Sequence, residues 1–334
     1  MSKNIKIITF GGVTQDIMFY TDEAVLIKNK KDPLRQELIA FEYGAKIRSN
    51  KVKFTFGGGA GNTAVSFAKL GLNVGVVTRL GGDRIGDDYL KNFRINKINT
   101  SLIQKDKTMG SGFSFIINYG DYNEHVIFSY RGANDNLKIE SNKLLNKKAN
   151  WYYIAALGGK YFKKNLDNIF KIASLNKIKI AWNPGKTELA QGYSYLKKFL
   201  IKTSVLVVNY DEAIELALSA KKKTKNIKKL IKILYDFGPK IITISHGHLG
   251  AYLFDGQNFY YEKALPVTGI NTTGAGDAFG SSLVAGLILF KNNLRKALHL
   301  AIIRSNYVIR KIGAQTGLLN KNESLKLMKK HGCK

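Results

Sequence analysis

One segment of the chain carries the residue types for chemistry on a phosphate group; it is Asn271-Thr272-Thr273-Gly274-Ala275-Gly276-Asp277. The small and apolar residues that follow, from Ala278 to Phe290, predict a buried helix. Glycine lets a backbone approach a ligand closely, and the free N–H groups at a helix start form an anion site. Such a site takes up developing negative charge while a neighbouring carboxylate takes a proton. The segment therefore has the groups that phosphoryl transfer to a hydroxyl needs.

The composition indicates a globular chain. It has 334 residues, of which 45% are hydrophobic, so a sizeable core can form. The single cysteine, Cys333, cannot form an internal disulfide, which fits a reducing compartment. Ile5–Phe10 is too short for the apolar region of a signal peptide, and no apolar run approaches the ~20 residues of a membrane span. We therefore expect a cytoplasmic protein.

The charge balance is strongly basic, with 53 Lys and Arg against 24 Asp and Glu and a net charge of +29. One interpretation is nucleic-acid binding. The other is compositional, since lysine is scattered along the chain and its densest run, Lys221–Lys232, is typical of the solvated face of a helix. Charge alone indicates partners and solubility rather than fold, and we favour the compositional interpretation. Either interpretation provides some attraction for anionic substrates.

Buried strand patterns alternate with helical patterns over most of the chain. The predicted strands are Ile5–Phe10, Val74–Arg79, Trp151–Ala155, Lys179–Trp182, Val205–Val208 and Ile241–Ser245, with a hairpin of Ala251–Phe254 and Asn258–Tyr261. The predicted helices are Asn62–Leu70, Asp87–Ile95, Asn165–Leu175, Asp211–Leu218, Ile227–Tyr235, Ala278–Phe290, Leu294–Ile309 and Glu323–Lys330. This order predicts an α/β fold with a doubly wound, mostly parallel sheet flanked by helices.

Further strand patterns occur without helices between them. They lie at about 13–20, 38–56 and 112–130, and Gly120-Asp121 marks a hairpin turn in the last of these segments. These strands predict a second, small sheet.

Two other glycine-containing segments fail the fingerprints that they superficially match. Gly185-Lys186-Thr187 ends like a phosphate-binding P-loop, but Ile180 stands where that motif needs its first glycine. The glycines after the first strand and at Gly57 lack the third glycine of a dinucleotide site. The sequence therefore excludes a Walker-type ATPase and a dinucleotide-dependent dehydrogenase.

Five motifs in order resemble those of the ribokinase-like (PfkB) family of sugar kinases. They are Gly57-Gly58-Gly59-Ala60-Gly61-Asn62, Gly81-Gly82-Asp83 with Gly86, Asn209-Tyr210-Asp211-Glu212, Asn271 to Asp277, and Gly313-Ala314-Gln315. The resemblance covers Ile5 to Leu318. It implies a single kinase domain over 1–320 followed by a C-terminal helix and tail, 321–334. It also implies that the small sheet is a lid over the sugar, which in this family often forms a dimer contact.

The resemblance assigns catalytic and acceptor-binding roles. Asp277 is the general base, and the backbone N–H groups of Gly274, Ala275 and Gly276 form the anion hole. The predicted acceptor-binding residues are Asp16, Gly57, Gly58, Asn62 and Arg131. Gly57 to Asn62 alone could be a tight strand–helix turn, and Arg131 could equally contact an acidic group or be a surface arginine.

The resemblance also implies an ATP and Mg²⁺ site. The predicted nucleotide-binding residues are Asn183, Asn209, Thr243, Gly247, Gly250 and Asn306. Asn209 and Glu212 help to hold Mg²⁺, mostly through water, although the same pair fits an ordinary helix capping box. Asn271 stands where the family usually has an aspartate that supports a monovalent-cation site. A neutral amide weakens such a site, so potassium dependence stays open.

We therefore expect an ATP-dependent kinase acting on a hydroxyl of a sugar or sugar acid. A nucleoside kinase of the same fold is the alternative within the enzyme class. A non-catalytic sugar or nucleotide sensor is the alternative outside it, although a sensor has no need of Asp277. The expected partners are a small-molecule acceptor and a second copy through the lid, with no membrane and no nucleic acid.

Overall fold

The computed structural model describes residues 6–29, 37–120, 125–145, 147–267 and 271–332. Three residues used in the sequence predictions, Ile5, Asp121 and Cys333, lie outside these ranges. Within the described ranges, no helix has the length and apolar character needed to cross a membrane.

Strands and helices follow one another along the whole described chain. The strands are β1 (Ile7–Phe10), β2 (Thr14–Thr21), β3 (Val25–Lys28), β4 (Glu37–Ala40), β5 (Lys51–Gly57), β6 (Val74–Val77), β7 (Arg79–Gly81), β8 (Gln104–Asp106), β9 (Phe113–Tyr119), β10 (His125–Tyr130), β11 (Trp151–Ile154), β12 (Lys179–Trp182), β13 (Val205–Asn209), β14 (Ile241–Ser245), β15 (Ala251–Phe254) and β16 (Phe259–Glu262). The helices are α1 (Gly59–Lys69), α2 (Arg84–Ile95), α3 (Ser141–Leu145), α4 (Phe162–Leu175), α5 (Lys186–Leu189), α6 (Gly192–Leu200), α7 (Tyr210–Ser219), α8 (Ile227–Asp236), α9 (Ala275–Leu289), α10 (Leu294–Val308) and α11 (Lys321–Lys330).

The central sheet has eight strands in the order β16-β15-β14-β13-β12-β11-β1-β6. Strands β6, β1 and β11 to β14 run parallel, and β15 and β16 form an antiparallel hairpin at one edge. All four residues of β1 and of β11 are buried, as expected for parallel strands with both faces covered. This arrangement confirms the predicted doubly wound sheet.

The two faces of the sheet belong to two separate hydrophobic clusters. Neighbouring residues of β1 point to opposite sides, so Ile7 packs in the cluster with α1, α9 and α10, whereas Ile8 packs in the cluster with α4, α6, α7 and α8. The site segments at the starts of α1 and α9 therefore lie on the same side of the sheet.

The small sheet has four strands in the order β10-β9-β2-β5. It confirms the second sheet predicted from 13–20, 38–56 and 112–130, with one correction. The segment near Leu38 does not join it, because β4 pairs antiparallel with β3 in a separate two-stranded ladder. The four residues of β3 are exposed, so this ladder lies outside the hydrophobic core.

Candidate active site

The start of α9 is built on a left-handed glycine. Gly274 has φ 81°, and a Cβ there would overlap Ala314, so both the backbone angle and the space require glycine. The N–H of Ala275 donates to the Thr272 carbonyl oxygen at 3.1 Å. Within the described ranges, the N–H groups of Gly276 and Asp277 find no acceptor, as expected in a first helical turn. Of the three backbone N–H groups predicted to form the anion hole, the one on Ala275 is therefore already engaged in a hydrogen bond.

The Asp277 carboxylate is held by one side-chain amide. Asn62, in the first turn of α1, donates from Nδ2 to Asp277 Oδ2 at 2.8 Å. Burial raises the pKa of Asp277, and the hydrogen bond from Asn62 opposes that rise. A carboxylate whose pKa is raised is a stronger base than a solvated one, which suits it to accept a proton.

A second carboxylate, Asp16 on β2, lies close to the first. It is buried, and Thr14 Oγ1 donates to its Oδ1 at 3.2 Å. Burial raises the pKa of Asp16 to about 6, hydrogen bonds from Ser114 and Thr14 oppose the rise, and the charge of Asp277 adds to it. Two glycines only two positions apart, Gly57 and Gly59, lie against Asp16 and Asp277, which places the two carboxylates in the same part of the site.

The glycines at the end of β5 make room for this group. A Cβ on Gly57 would overlap the Asp16 carboxylate, and one on Gly58, which has φ 82°, would overlap the backbone at Gly12 and Val13. These contacts explain why both positions need glycine. They also bring Gly57, Gly58 and Asp16, three of the predicted acceptor-binding residues, close together.

The role of Asn62 in the structure differs from the predicted contact with an acceptor. Its Nδ2 holds Asp277, and its Oδ1 accepts a hydrogen bond from Gln315 Nε2 at 3.1 Å. Gln315 lies in the loop after α10 and was not predicted to act in the site, although it belongs to one of the five motifs. Asn62 therefore holds the Asp277 carboxylate in this conformation.

Arg131 lies apart from the two carboxylates. Its Nε donates to Asp135 Oδ1 at 2.6 Å, and its guanidinium group packs against Gly158 in the loop after β11.

Beneath this loop lies Glu188, which the sequence analysis did not single out. Its carboxylate accepts hydrogen bonds from the N–H groups of Leu157 and Gly185 at 2.7 and 3.2 Å. Burial raises the pKa of Glu188 to about 8.

A cavity of about 930 Å³ opens beside the start of α9. It brings together the predicted residues Gly247, Gly250 and Asn306 with Ala275 and Gly276, and Phe279 and Ile302 are among its apolar lining residues. Asn306 donates from Nδ2 to the Leu265 carbonyl oxygen at 2.8 Å, which ties α10 to the segment after the β15–β16 hairpin. The size and mixed lining are typical of a small-molecule site.

Four predicted residues lie directly after β12, on β13, on β14 and in the first turn of α7. The side chain of Thr243 is fully buried within the sheet, and its hydroxyl has no hydrogen-bond partner in the described part of the chain, so its contact with a nucleotide stays a prediction. Asn183 donates from Nδ2 to the Val207 carbonyl oxygen at 2.9 Å. Asn209 and Glu212 form a capping box, with hydrogen bonds of 2.9 and 2.8 Å.

The capping box uses only one of the two carboxylate oxygens of Glu212, so the other could contact a cation. Glu212 uses one oxygen, Oε2, in the box. Burial raises the pKa of the Tyr153 phenol, and the nearby charges of Asp277 and Glu212 add to that rise. Within the described ranges, no group of three acidic, histidine or cysteine side chains could enclose a metal ion. The residues therefore fit a cation such as Mg²⁺ only if water supplies most of its ligands.

Asn271, the predicted monovalent-cation residue, is engaged in a local turn. Its Oδ1 accepts a hydrogen bond from the Thr273 N–H at 2.9 Å, and its own N–H donates to the Ile309 carbonyl oxygen at 3.1 Å. The side-chain oxygen that would face a cation instead holds the backbone just before α9.

The sequence and fold comparisons agree on one family. The model of the pfkB family of carbohydrate kinases matches residues 32–321. The chain is 26% identical over 320 residues to an ATP-dependent 6-phosphofructokinase of Thermoanaerobacterium thermosaccharolyticum, covering 89% of this chain and 94% of that protein. It is 25% identical over 283 residues to a ribokinase of Staphylococcus aureus, covering 82% and 89% of the two chains.

Solved structures share the whole architecture. A Methanocaldococcus jannaschii nucleoside kinase of the ribokinase family has a TM-score of 0.77 at 20% identity, covering 99% of this chain and 100% of that chain. A putative ribokinase II from E. coli, solved with ATP and Mg²⁺, has a TM-score of 0.78 at 18% identity, covering 98% and 100%. The chain belongs to the pfkB family of carbohydrate kinases and has the ribokinase fold.

Proposed function

We propose that the protein transfers a phosphoryl group from ATP to a hydroxyl group of a sugar or sugar acid. The observation that carries the proposal is the position of Asp277. Its carboxylate lies at the first turn of α9, beside the unpaired N–H groups of Gly276 and Asp277, with the 930 Å³ cavity at that helix start and the Asp16 carboxylate close by. The relatives named above, a phosphofructokinase and a ribokinase, support a sugar acceptor.

ATP would occupy the cavity formed by α9, α10 and the loops at Gly247 and Leu265. Its base would pack on the apolar lining, and its terminal phosphate would reach the N–H groups at the start of α9. Mg²⁺ would reduce the repulsion between phosphate oxygens, and Glu212 would hold it through water. Asn183 lies at the same carboxyl-end edge of the sheet, where ligands bind in open α/β folds.

The acceptor would lie under the small sheet. Asp16, ionised above its pKa of about 6, would accept hydrogen bonds from acceptor hydroxyl groups. The attacking hydroxyl oxygen would form the new O–P bond as the bond to the ADP oxygen breaks, and its proton would pass to Asp277. The unpaired N–H groups would stabilise the charge on the transferring group.

The test is ADP release from ATP and Mg²⁺ with a panel of sugars, sugar acids and nucleosides. We expect one acceptor class to stimulate release in the wild type. The nucleosides test the alternative supported by the fold neighbour that is a nucleoside kinase. Each assay is run with and without potassium, and the engagement of Asn271 Oδ1 with Thr273 leads us to expect little stimulation by potassium.

Asp277→Asn should bind ATP, fold normally and lose turnover by roughly 10²- to 10⁴-fold, because it removes the proton acceptor. Asp236→Asn, the same change at an exposed position at the end of α8, is the matched control and should keep wild-type turnover. Near-normal turnover in Asp277→Asn would sink the mechanism. ATP binding without stimulation by any acceptor would favour the sensor.

A further inference from the structure

A chain of side-chain amides runs from α2 to the Asp277 carboxylate. Asn96 Nδ2 donates to Asn92 Oδ1 at 3.1 Å, and Asn92 Nδ2 donates to Gln315 Oε1 at 3.0 Å. Gln315 Nε2 donates to Asn62 Oδ1 at 3.1 Å, and Asn62 Nδ2 donates to Asp277 Oδ2 at 2.8 Å. Every amide donates toward the carboxylate, and the four bonds connect α2, the loop after α10, α1 and α9.

The direction of the chain is set at both ends. An ionised carboxylate only accepts hydrogen bonds, so the NH₂ group of Asn62 must face Asp277 and its oxygen must face Gln315. At the other end, Asn96 Nδ2 also donates to the Asn92 main-chain oxygen at 2.9 Å, and a carbonyl oxygen likewise only accepts. Each amide between these ends is therefore held in one of its two orientations.

The loop that carries Gln315 is itself fixed on both sides. Lys69 Nζ donates to the main-chain oxygens of Gln315 and Leu318 at 3.5 and 3.0 Å. The preceding residue, Ala314, packs against Gly274 at the start of α9. Gln315 is buried, so its amide has little access to water as an alternative partner.

We propose that Gln315 and Asn92 are positioning residues that hold the Asn62 amide with its NH₂ group toward Asp277 and so keep the carboxylate ionised and oriented. They touch neither substrate and act only through Asn62. The proposal deepens the proposed function, because it rests on Asp277 as the base.

Other ionisable groups near Asp277 do not replace this amide. Asp16 faces it from β2, Tyr89 from α2 and Tyr153 from β11, and each is coupled electrostatically to Asp277. The Tyr89 hydroxyl donates to the main-chain oxygens of Thr14 and Gly57. Within the described ranges, no cationic side chain forms an ion pair with Asp277. Asn62 is the side chain that stabilises the charged form.

The test reverses the direction of the hydrogen bonds in the chain of amides by changing Asn92, which is partly exposed. In Asn92→Asp, the new carboxylate only accepts, so Gln315 must turn its NH₂ group toward it and present Oε1 to Asn62. Asn62 then turns as well and presents Oδ1 to Asp277, which favours the protonated carboxyl. We expect the pKa of Asp277 to rise by roughly one unit, as loss of a hydrogen bond to a charged group predicts. The position is partly exposed, so this variant should fold.

Two control variants separate the effect of reversed amide orientation from the effects of a changed net charge and of changed packing at Asn92. Arg94→Gln, on the exposed part of the same helix, makes the same change in net charge without touching the chain. Asn92→Leu removes one partner of Gln315 but offers it no new acceptor, so it loosens the amides without reversing them. Both controls should shift the pKa of Asp277 much less than Asn92→Asp does. Gln315→Met, which removes the donor to Asn62, should shift it upward as well.

The pKa is measured by carbon NMR titration in protein labelled at aspartate carboxyl groups, with the Asp277 signal assigned from Asp277→Asn. The acid limb of kcat/KM against pH should move with it, while KM for ATP stays unchanged. Equal shifts in Asn92→Asp and Arg94→Gln, or equal shifts in Asn92→Asp and Asn92→Leu, would overturn the proposal. The NMR result stands without turnover, so a wild type that no acceptor stimulates would refute the kinase proposal separately.

Discussion

Two neighbouring carboxylates meet different surroundings at the site. Asp16 is held by hydroxyl groups of the small sheet, and burial raises its pKa to about 6, whereas Asp277 is held by an amide; neither forms an ion pair in the described part of the chain. Two neighbouring carboxylates with different hydrogen-bonding surroundings are suited to different roles. Asp16 suits recognition of hydroxyl groups, and Asp277 suits proton transfer.

Replacing Asp16 should stabilise the fold while weakening acceptor binding. Its pKa is raised in the folded chain from 3.8 to about 6, so the ionised form destabilises the native state. This cost is absent below pH 3.8, grows as the pH rises and is complete above about 6. Asp16→Asn should therefore raise the free energy of unfolding at pH 8 by about 1–3 kcal/mol, and the gain should vanish toward pH 4. Chemical denaturation at several pH values measures it.

The same variant should bind its acceptor less well. An amide nitrogen cannot accept a hydroxyl proton, and loss of a hydrogen bond to a charged group predicts a rise in acceptor KM of roughly 10- to 100-fold. KM for ATP should stay unchanged. In the wild type, acceptor KM should rise as the pH falls through about 6. Stability curves against pH that run parallel for the wild type and Asp16→Asn would contradict this account of Asp16.

At the scale of elements, both helices that point at the site begin with glycine caps. Gly58 precedes α1 and Gly274 precedes α9, and both have positive φ. Neither cap makes a side-chain hydrogen bond, so the first N–H groups of the two helices are not covered by a capping side chain. By contrast, Asp83 caps α2 by accepting from the Gly86 N–H at 2.9 Å.

Two alanine substitutions at the start of α9 should have opposite effects. Gly274→Ala places a Cβ at a positive φ and against Ala314, so it should cost about 2 kcal/mol or more in unfolding free energy. Gly276→Ala meets nothing within 4 Å and lies in the helix, so stability should hold or rise slightly. Its Cβ enters the anion site, so we expect a higher KM for ATP. Denaturation and ATP titration of the two variants, side by side, test the pair; equal losses of stability would contradict it.

The element order was predictable because buried β-branched runs and helical patterns alternate clearly. The residues at which the helices begin were less predictable. Helices α1, α2 and α9 each begin three residues before their predicted starts. Apart from Ile85 in α2, these early residues are small or polar and carry no apolar periodicity. Helices α3, α5 and α6, strand β3 and the parallel pairing of β7 with β8 were not predicted. The chain of amides could not be predicted either, since hydrogen bonds between residues distant in sequence leave no local pattern.

At the scale of the whole molecule, the small sheet has two different faces. One face carries Asp16, Met18, Ser114 and Ile116, which are buried. The strand register aligns Phe54, Ile17, Phe115 and Phe128 in one row of the other face, and Val52, Phe19, Ile117 and Val126 in the next. Phe54 is 66% exposed and Phe128 is 58% exposed. An apolar face of this extent is typical of an interface.

We propose that this face pairs with the same face of a second copy, as expected for a two-fold contact. The wild type should be a dimer in size-exclusion chromatography with light scattering. Phe54→Lys combined with Phe128→Lys should give a folded monomer, because charges would be buried in the contact. Leu175→Lys on α4, at an equally exposed apolar position, should leave the dimer intact. A monomeric wild type would refute the pairing.

The groups that would recognise the acceptor and those that would carry out the reaction come from different stretches of chain. Asp16, Gly57 and Ser114 belong to the small sheet, whereas Asp277 and the cavity belong to α9, α10 and the edge of the central sheet. On the proposed mechanism, mutations in the small sheet would alter which hydroxyl compound is accepted while the Asn62–Asp277 hydrogen bond stays in place. Such a division lets a lineage acquire new substrates in small steps while it inherits one chemistry unchanged.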